Sequence, residues 1–388
     1  MSWRALGLDG RMTAMVIALA AIWLALDTLS GGYFLTARNL YNLAVQSSVV
    51  GVMACGMVLV IVPRHIDLSV GSLLGFTGMT IALLQVGFEW SWPASVIAGL
   101  LLGALAGAAQ GALVAYGGLP AFVVTLGGLL IFRGSAYLLS DGQTLAPLAS
   151  GYALLGGGPD GSLGAQWSLV LGAGAVLAVV LARMRGRAAR RAHGEPLPPA
   201  WIEGTRTAFV ALAIAAFVGV MNAHTQPRTE LARGIPIPVL ILIAVALTTT
   251  GLARATRFGR YVFAIGGSPE AAELAGIDVR RITVAVFVWM GVLCGVGAII
   301  TTARLGAGAS SMGTLAELNV IAAAVIGGTS LSGGRGSVPG AILGAVIMQS
   351  LENGMVLLGV SSPLRQVGIG AVLIAAVWVD VAYARRRV

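Results

Sequence analysis

The residues able to do chemistry in this chain are few, and their types and spacing argue against covalent catalysis. All 24 basic residues are arginine, so neither a Schiff-base lysine nor a phosphate-loop lysine exists. His65, His193 and His224 lie far apart and lack metal-ligand spacing. Cys55 and Cys294 each sit inside an apolar run and read as small buried hydrophobes, not as a redox pair. Two groups of residues remain. One is the charged stretch "GGSPEAAELAGIDVRR" at 266–281, which gathers Glu270, Glu273, Asp278, Arg280 and Arg281 in a chain otherwise short of charge. The other is a scatter of polar side chains inside apolar runs: Gln46, Gln110, Thr125, Arg133, Glu317, Asn319, Gln349, Glu352 and Asn353. As a group they suit an uncharged polyol better than an ion, and Gln46, Thr125, Glu317, Asn319, Gln349 and Asn353 are the candidates for a translocation path. The same residues could instead satisfy one another between helices.

The elements that must position these groups are membrane helices. The 388 residues are 57% hydrophobic and only 10% charged, with a mean hydropathy of +0.90, whereas soluble domains carry roughly 25% charged residues. Twelve apolar runs are candidate spans: 13–31, 42–62, 69–87, 93–116, 120–139, 166–183, 207–222, 237–253, 283–303, 316–328, 338–358 and 364–383. The weakest are 207–222 and 316–328. The predicted fold is all-α, a polytopic integral membrane protein of about 10–12 transmembrane helices, with one or two pieces re-entrant. It reads as one transmembrane domain over 1–388, with a basic cytoplasmic linker at 183–206 and a cytoplasmic loop at 254–282. The first run is not followed by a small-residue cleavage site and reads as a retained helix. Alternating from a cytoplasmic N-terminus puts 18 of the 24 arginines inside, with Arg133 within a span, so both termini face the cytoplasm. Topology and anionic lipid then account for the net charge of +9. Without aromatic-basic interleaving, no nucleic-acid partner is expected.

Helix contacts are also written in the chain. Gly103, Gly107 and Gly111 recur at four-residue spacing, as do the pairs Gly291/Gly295 and Gly340/Gly344, which lets backbones approach closely. The charged stretch reads as a short helix in a cytoplasmic loop, with Ser268 as N-cap, Pro269 first, Glu270 in the first turn and Gly276 as the stop. That makes about two turns, roughly 10 Å. Ala271, Ala272, Leu274 and Ala275 would form a low-profile surface able to enter a groove on another protein; the alternative is an ordinary loop kept in water by its charges. Two glycine-rich breaks, "RHIDLSVGS" (64–72) and "GGTSLSGGRGS" (327–337), interrupt apolar runs near the cytoplasmic ends. They are either a gate or docking element or a pair of tight loops, with Asp67, Ser69, Gly333 and Gly334 as the residues to watch.

"EAAELAG" resembles the Glu-Ala-Ala, three residues, Gly pattern by which permease subunits of ATP-binding-cassette importers dock onto their ATPases. "GRYVFAIGGSPEAAELAGIDVRR", "ELNVIAAAVIGGTSLSGGRGSVPGAILGAVI", "HIDLSVGSLLGFTG" and "GLPAFVVTLGGLLIFRG" are similar to the ribose/xylose/arabinose/galactose-type permeases. The block at 140–231 resembles the longer D-xylose branch. Arg64 and His65 stand where that family usually has Gly-Gly, and no Ile-x-Leu-Pro follows Gly276. The resemblance implies a permease subunit of a bacterial inner-membrane importer for a monosaccharide, D-xylose or a related pentose. It implies a homodimer, two ATPase subunits that use ATP and Mg, an extracytoplasmic binding protein, and no cofactor on this chain. It assigns ATPase coupling to Ser268, Pro269, Glu270, Ala271, Ala272, Gly276, Asp278 and Arg280, and leaves Asp67 either capping the third helix or touching the ATPase. Outer loops with Glu89, Asp141, Asp160, Arg228, Arg233 and Arg304 are candidate contacts for the binding protein. The rival reading is an ion-coupled secondary transporter of a small polar solute, which would need partnered carboxylates within the membrane.

Overall fold

The computed structural model describes residues 10–158, 160–194, 197, 199–226 and 231–385. Arg228 of the outer-loop candidates lies outside the described residues. Among the described residues, nine helices are long and apolar enough to cross a membrane: α1 (Gly10–Leu29), α2 (Ala37–Ile61), α4 (Trp92–Ala115), α5 (Ala121–Leu138), α6 (Gly164–Ala192), α7 (Ala200–Ala223), α8 (Ile237–Ala255), α11 (Val279–Leu305) and α13 (Val338–Leu357). Three further apolar helices, α3 (Val70–Val86), α12 (Ala316–Ile326) and α14 (Ser362–Arg385), fall on the remaining candidate spans. Between α8 and α11 lie two short helices, α9 (Arg257–Gly267) and α10 (Pro269–Leu274). Every one of the twelve apolar runs is therefore helical, including 207–222 inside α7.

The core forms around α2, which is buried along most of its length and packs against α8, α11, α12 and α13. Large apolar side chains remain exposed along α1, α4, α5, α6 and α7, as expected of helices whose outer faces meet lipid. The glycine stripes act as the spacing predicts. A Cβ on Gly103 would collide with the Gly291 carbonyl and one on Gly107 with the Phe287 carbonyl, so α4 and α11 touch backbone to backbone. Gly340 and Gly344 face the Gly327 and Ala323 carbonyls in the same way, joining α13 to α12. Close contact of this kind is what holds membrane helices together where lipid removes the hydrophobic drive.

Two crossings are broken, as the expectation of one or two re-entrant pieces allows: non-helical backbone precedes α3 and α12, while the runs 69–87 and 316–328 are themselves helical. In the first, α2 ends at the arginine-rich side and the chain returns inward as non-helical backbone over 62–69 before α3 begins. In the second, α11 ends on the opposite side and residues 306–315 fold back along α3. Gly308 lies against Ala82, the Met312 carbonyl against Gly75, and Gly313 against Gly71. Leu315, at φ 60°, then turns the chain into α12. The physical reason is that polar, glycine-rich backbone can sit inside a membrane protein when neighbouring side chains satisfy it.

Candidate functional site

At the arginine-rich face, three loops far apart in sequence meet. The Gly334 N–H donates to the Val62 carbonyl (2.9 Å). Arg64 donates through Nε to the Gly266 carbonyl (3.1 Å) and through Nη2 to the Gly267 carbonyl (2.7 Å). Gly266 is packed so tightly against Val62 and Gly334 that no side chain fits. Arg64 adopts φ 68° and Gly333 and Gly334 adopt 86° and 72°, the left-handed region where glycine is the ordinary occupant. Glycine would meet the backbone demand at position 64 without strain. Here an arginine accepts the strain and uses its side chain to hold the neighbouring loop.

That loop presents α10. Ser268 caps it, its hydroxyl accepting from the Ala271 N–H (3.2 Å) and donating to Glu270 (3.0 Å). Pro269 occupies the first turn and Gly276, at φ 80°, ends it. The backbone N–H and the Ser268 hydroxyl hold the Glu270 carboxyl below the ordinary glutamate value, with Arg64 adding attraction. Glu270, Ala271, Glu273 and Ala275 are exposed, and Leu274 is 90% exposed. One residue departs from the expected surface: Ala272 is only 4% exposed and packs inward, because a helix this short must seat one face on the protein. Asp278 caps α11 through the Arg281 N–H (3.0 Å) and pairs with the Arg281 side chain (2.8 Å), while Arg280 is exposed.

Asp67 departs further. At 2% exposure it cannot meet an outside protein. Its Oδ1 accepts from the Ser69 N–H (2.8 Å) and hydroxyl (2.7 Å), and Gln110 donates to the Ser69 hydroxyl (2.9 Å). The carboxylate therefore ties the broken backbone to the start of α3 and, through Ser69, to α4. α5 supplies the other ties. Thr125 donates to the Ile66 carbonyl (3.2 Å), and Arg133 donates to the carbonyls of Ser310 (3.0 Å) and Met312 (2.9 Å). One helix thus satisfies the unwound backbone of both broken crossings, which accounts for an arginine inside a span.

The N-termini of α3 and α12 meet inside the bundle at Gly71, Gly313 and Glu317. Glu317 is 7% exposed, and its Oε2 has no hydrogen-bond partner. A carboxylate there faces the positive ends of two helices, with Arg133 nearby. The remaining path candidates assemble elsewhere. Gln349 donates to Gln46 (3.3 Å) and to Glu352 (3.4 Å), and Asn319 donates to Glu352 (3.2 Å). Asn353 accepts from Asn39 (3.0 Å). α2, α12 and α13 therefore bring Gln46, Asn319, Gln349 and Asn353 together, while Thr125 and Glu317 belong to the broken crossings. Asn39 was missed by sequence reasoning because it lies before the apolar run. The pair Thr36 and Asn39, three apart at a helix start, was the available signal. Among the described residues, no group of three or more His, Cys, Asp or Glu could hold a metal ion.

A family model described as "Branched-chain amino acid transport system / permease component" matches residues 39–377. The chain belongs to this permease family. The xylose transport system permease protein of Escherichia coli K12 is 40% identical to this permease over 98% of this chain and 94% of its own length. That of Haemophilus influenzae is also 40% identical, over 94% and 95%. The ribose import permease of Escherichia coli K12 is 34% identical, over 94% and 92%. No solved structure matches the chain significantly. This permease is a multi-pass membrane protein and a transport subunit, not an enzyme, and the broken crossings and the exposed α10 are features of that permease chain.

Proposed function

We propose that this permease imports a monosaccharide, D-xylose or a related pentose, through the bacterial inner membrane. Identity to xylose permeases over nearly the whole chain supports xylose over ribose. Two copies form the channel, two ATP-binding-cassette ATPase subunits grip their α10 helices, and an extracytoplasmic binding protein delivers the sugar. ATP and Mg are used by the ATPase. The observation that carries this reading is the junction of Val62–Arg64, Gly266–Gly267 and Gly333–Gly334 at the base of α10. A push on α10 reaches the Gly266 and Gly267 carbonyls, passes through Arg64 into the unwound 62–69 segment, and shifts α3 against α12. ATP supplies differential stability between inward- and outward-facing states. The amide-rich cluster of Gln46, Asn319 and Gln349, with the Glu352 carboxylate, offers exchangeable donors and acceptors for sugar hydroxyls as those states alternate.

The test is uptake of labelled D-xylose into vesicles holding this chain, its ATPase and its binding protein. Uptake that requires ATP and is out-competed by xylose more strongly than by ribose is expected. Uptake driven by an ion gradient without ATP would overturn the reading.

A further inference from the structure

The structure points to a second site, at the arginine-rich ends of α6 and α7, built from residues other than those of the α10 junction. A cavity of about 200 Å³ there is lined by Arg183, Gly186, Arg187, Arg190, Glu203 and Arg206. Four arginines face one glutamate. Glu203 is engaged by Arg187 (2.5 Å), and its backbone carbonyl accepts from Arg183 (2.6 Å), which also reaches Thr207 (2.7 Å). The ring is thus partly fixed by its own bonds. Arg206 Nε is buried without a hydrogen-bond partner, and a buried donor of this kind favours an incoming acceptor.

Depth in the membrane limits what that acceptor can be. α6 has 29 residues, about 43 Å at 1.5 Å each, which exceeds a hydrocarbon core of about 30 Å. Arg183 lies about 28 Å along α6 from its outer end, and Arg206 lies about 26 Å along α7 from its own outer end. Both reach the same boundary, and Arg190 lies about 10 Å beyond Arg183. Trp167 near one end of α6 and Trp201 near the inner end of α7 are 67% and 55% exposed, as interface anchors are. The arginine ring therefore sits at headgroup level and faces an oxyanion there. We propose that it binds the phosphate of an anionic membrane lipid. Planar guanidinium groups suit a phosphodiester, and a basic pocket between membrane helices on this side suits an acidic headgroup.

The experiment uses the full chain in neutral detergent, titrated separately with phosphatidylglycerol, phosphatidylcholine and inorganic phosphate. The unfolding temperature and the number of lipids retained in native mass spectrometry are read. A charge-assisted bond from one cavity guanidinium to the phosphate contributes about tenfold in binding, so Arg190→Gln with Arg206→Gln is expected to weaken phosphatidylglycerol binding about a hundredfold. Arg185→Gln with Arg191→Gln removes equal charge outside the cavity and is expected to leave binding within about twofold. If the first pair fails to fold, Glu203→Gln, which removes the one negative charge, is expected to tighten binding severalfold. Equal weakening by both arginine pairs, or no change in any variant, would overturn the site. Protection by inorganic phosphate that displaces the lipid would assign the ring to a free anion and overturn the lipid source.

Discussion

Replacing Arg64 separates two quantities that the junction combines. Arg64 sits at φ 68°, which costs a side-chain-bearing residue about 1 kcal/mol relative to glycine. Against this stand its two hydrogen bonds to Gly266 and Gly267, one half-buried and one exposed. Charge-assisted bonds contribute about 1.5–3 kcal/mol when well buried, so this partly exposed pair contributes about 2 kcal/mol together. Arg64→Ala keeps the strain and loses both bonds, a loss of about 2 kcal/mol. Arg64→Gly loses the bonds but relieves the strain, a loss of about 1 kcal/mol. Unfolding midpoints in detergent should therefore rank native above Gly above Ala. Both variants should lower substrate-stimulated ATP hydrolysis in the assembled complex to a similar extent, because both cut the link between α10 and 62–69. Equal stability of the Ala and Gly variants would refute the strain, and native stimulation in both would refute the link.

Three further outcomes follow from the geometry. Gly107→Val must push Phe287 backbone away and should destabilise by about 1–3 kcal/mol or prevent folding, whereas Gly127→Ala, with nothing near its added methyl, should be neutral or stabilising by up to about 1 kcal/mol; midpoints in detergent decide. Asp67→Asn keeps an acceptor for the Ser69 N–H and hydroxyl and should retain folding and transport, while Asp67→Ala leaves the buried Ser69 N–H without its acceptor, with the hydroxyl still held by Gln110, and should lose about 1–3 kcal/mol. Gln349→Leu breaks contacts to Gln46 and Glu352 and should change the sugar dependence of uptake more than the unfolding midpoint.

Much of the architecture was legible because membrane physics leaves strong marks. Twelve apolar runs became twelve helices, and the Gly103/Gly107/Gly111 spacing found its partners at Gly291 and Phe287. The cap and stop of α10 were also legible, since Ser268, Pro269 and Gly276 signal locally. What the sequence concealed is long-range. Nothing local says that 62–69 enters the bundle or that 306–315 folds back on α3; the ties come from Thr125 and Arg133, more than 50 residues from one segment and more than 170 from the other. Burial of Asp67 and Ala272 is likewise decided by neighbours distant in sequence. A polar residue inside a span, such as Glu317 or Gln349, declares that it needs a partner without declaring which.

The most direct test of the account is co-purification of the full chain with its tagged ATPase, comparing the native protein with Glu270→Arg and Leu274→Asp. Both positions are exposed on α10, so folding should persist, and the unfolding midpoint in detergent verifies it. Capture of the ATPase by the native chain and its loss in both variants is the predicted result. Equal capture by all three chains would contradict α10 as the coupling element.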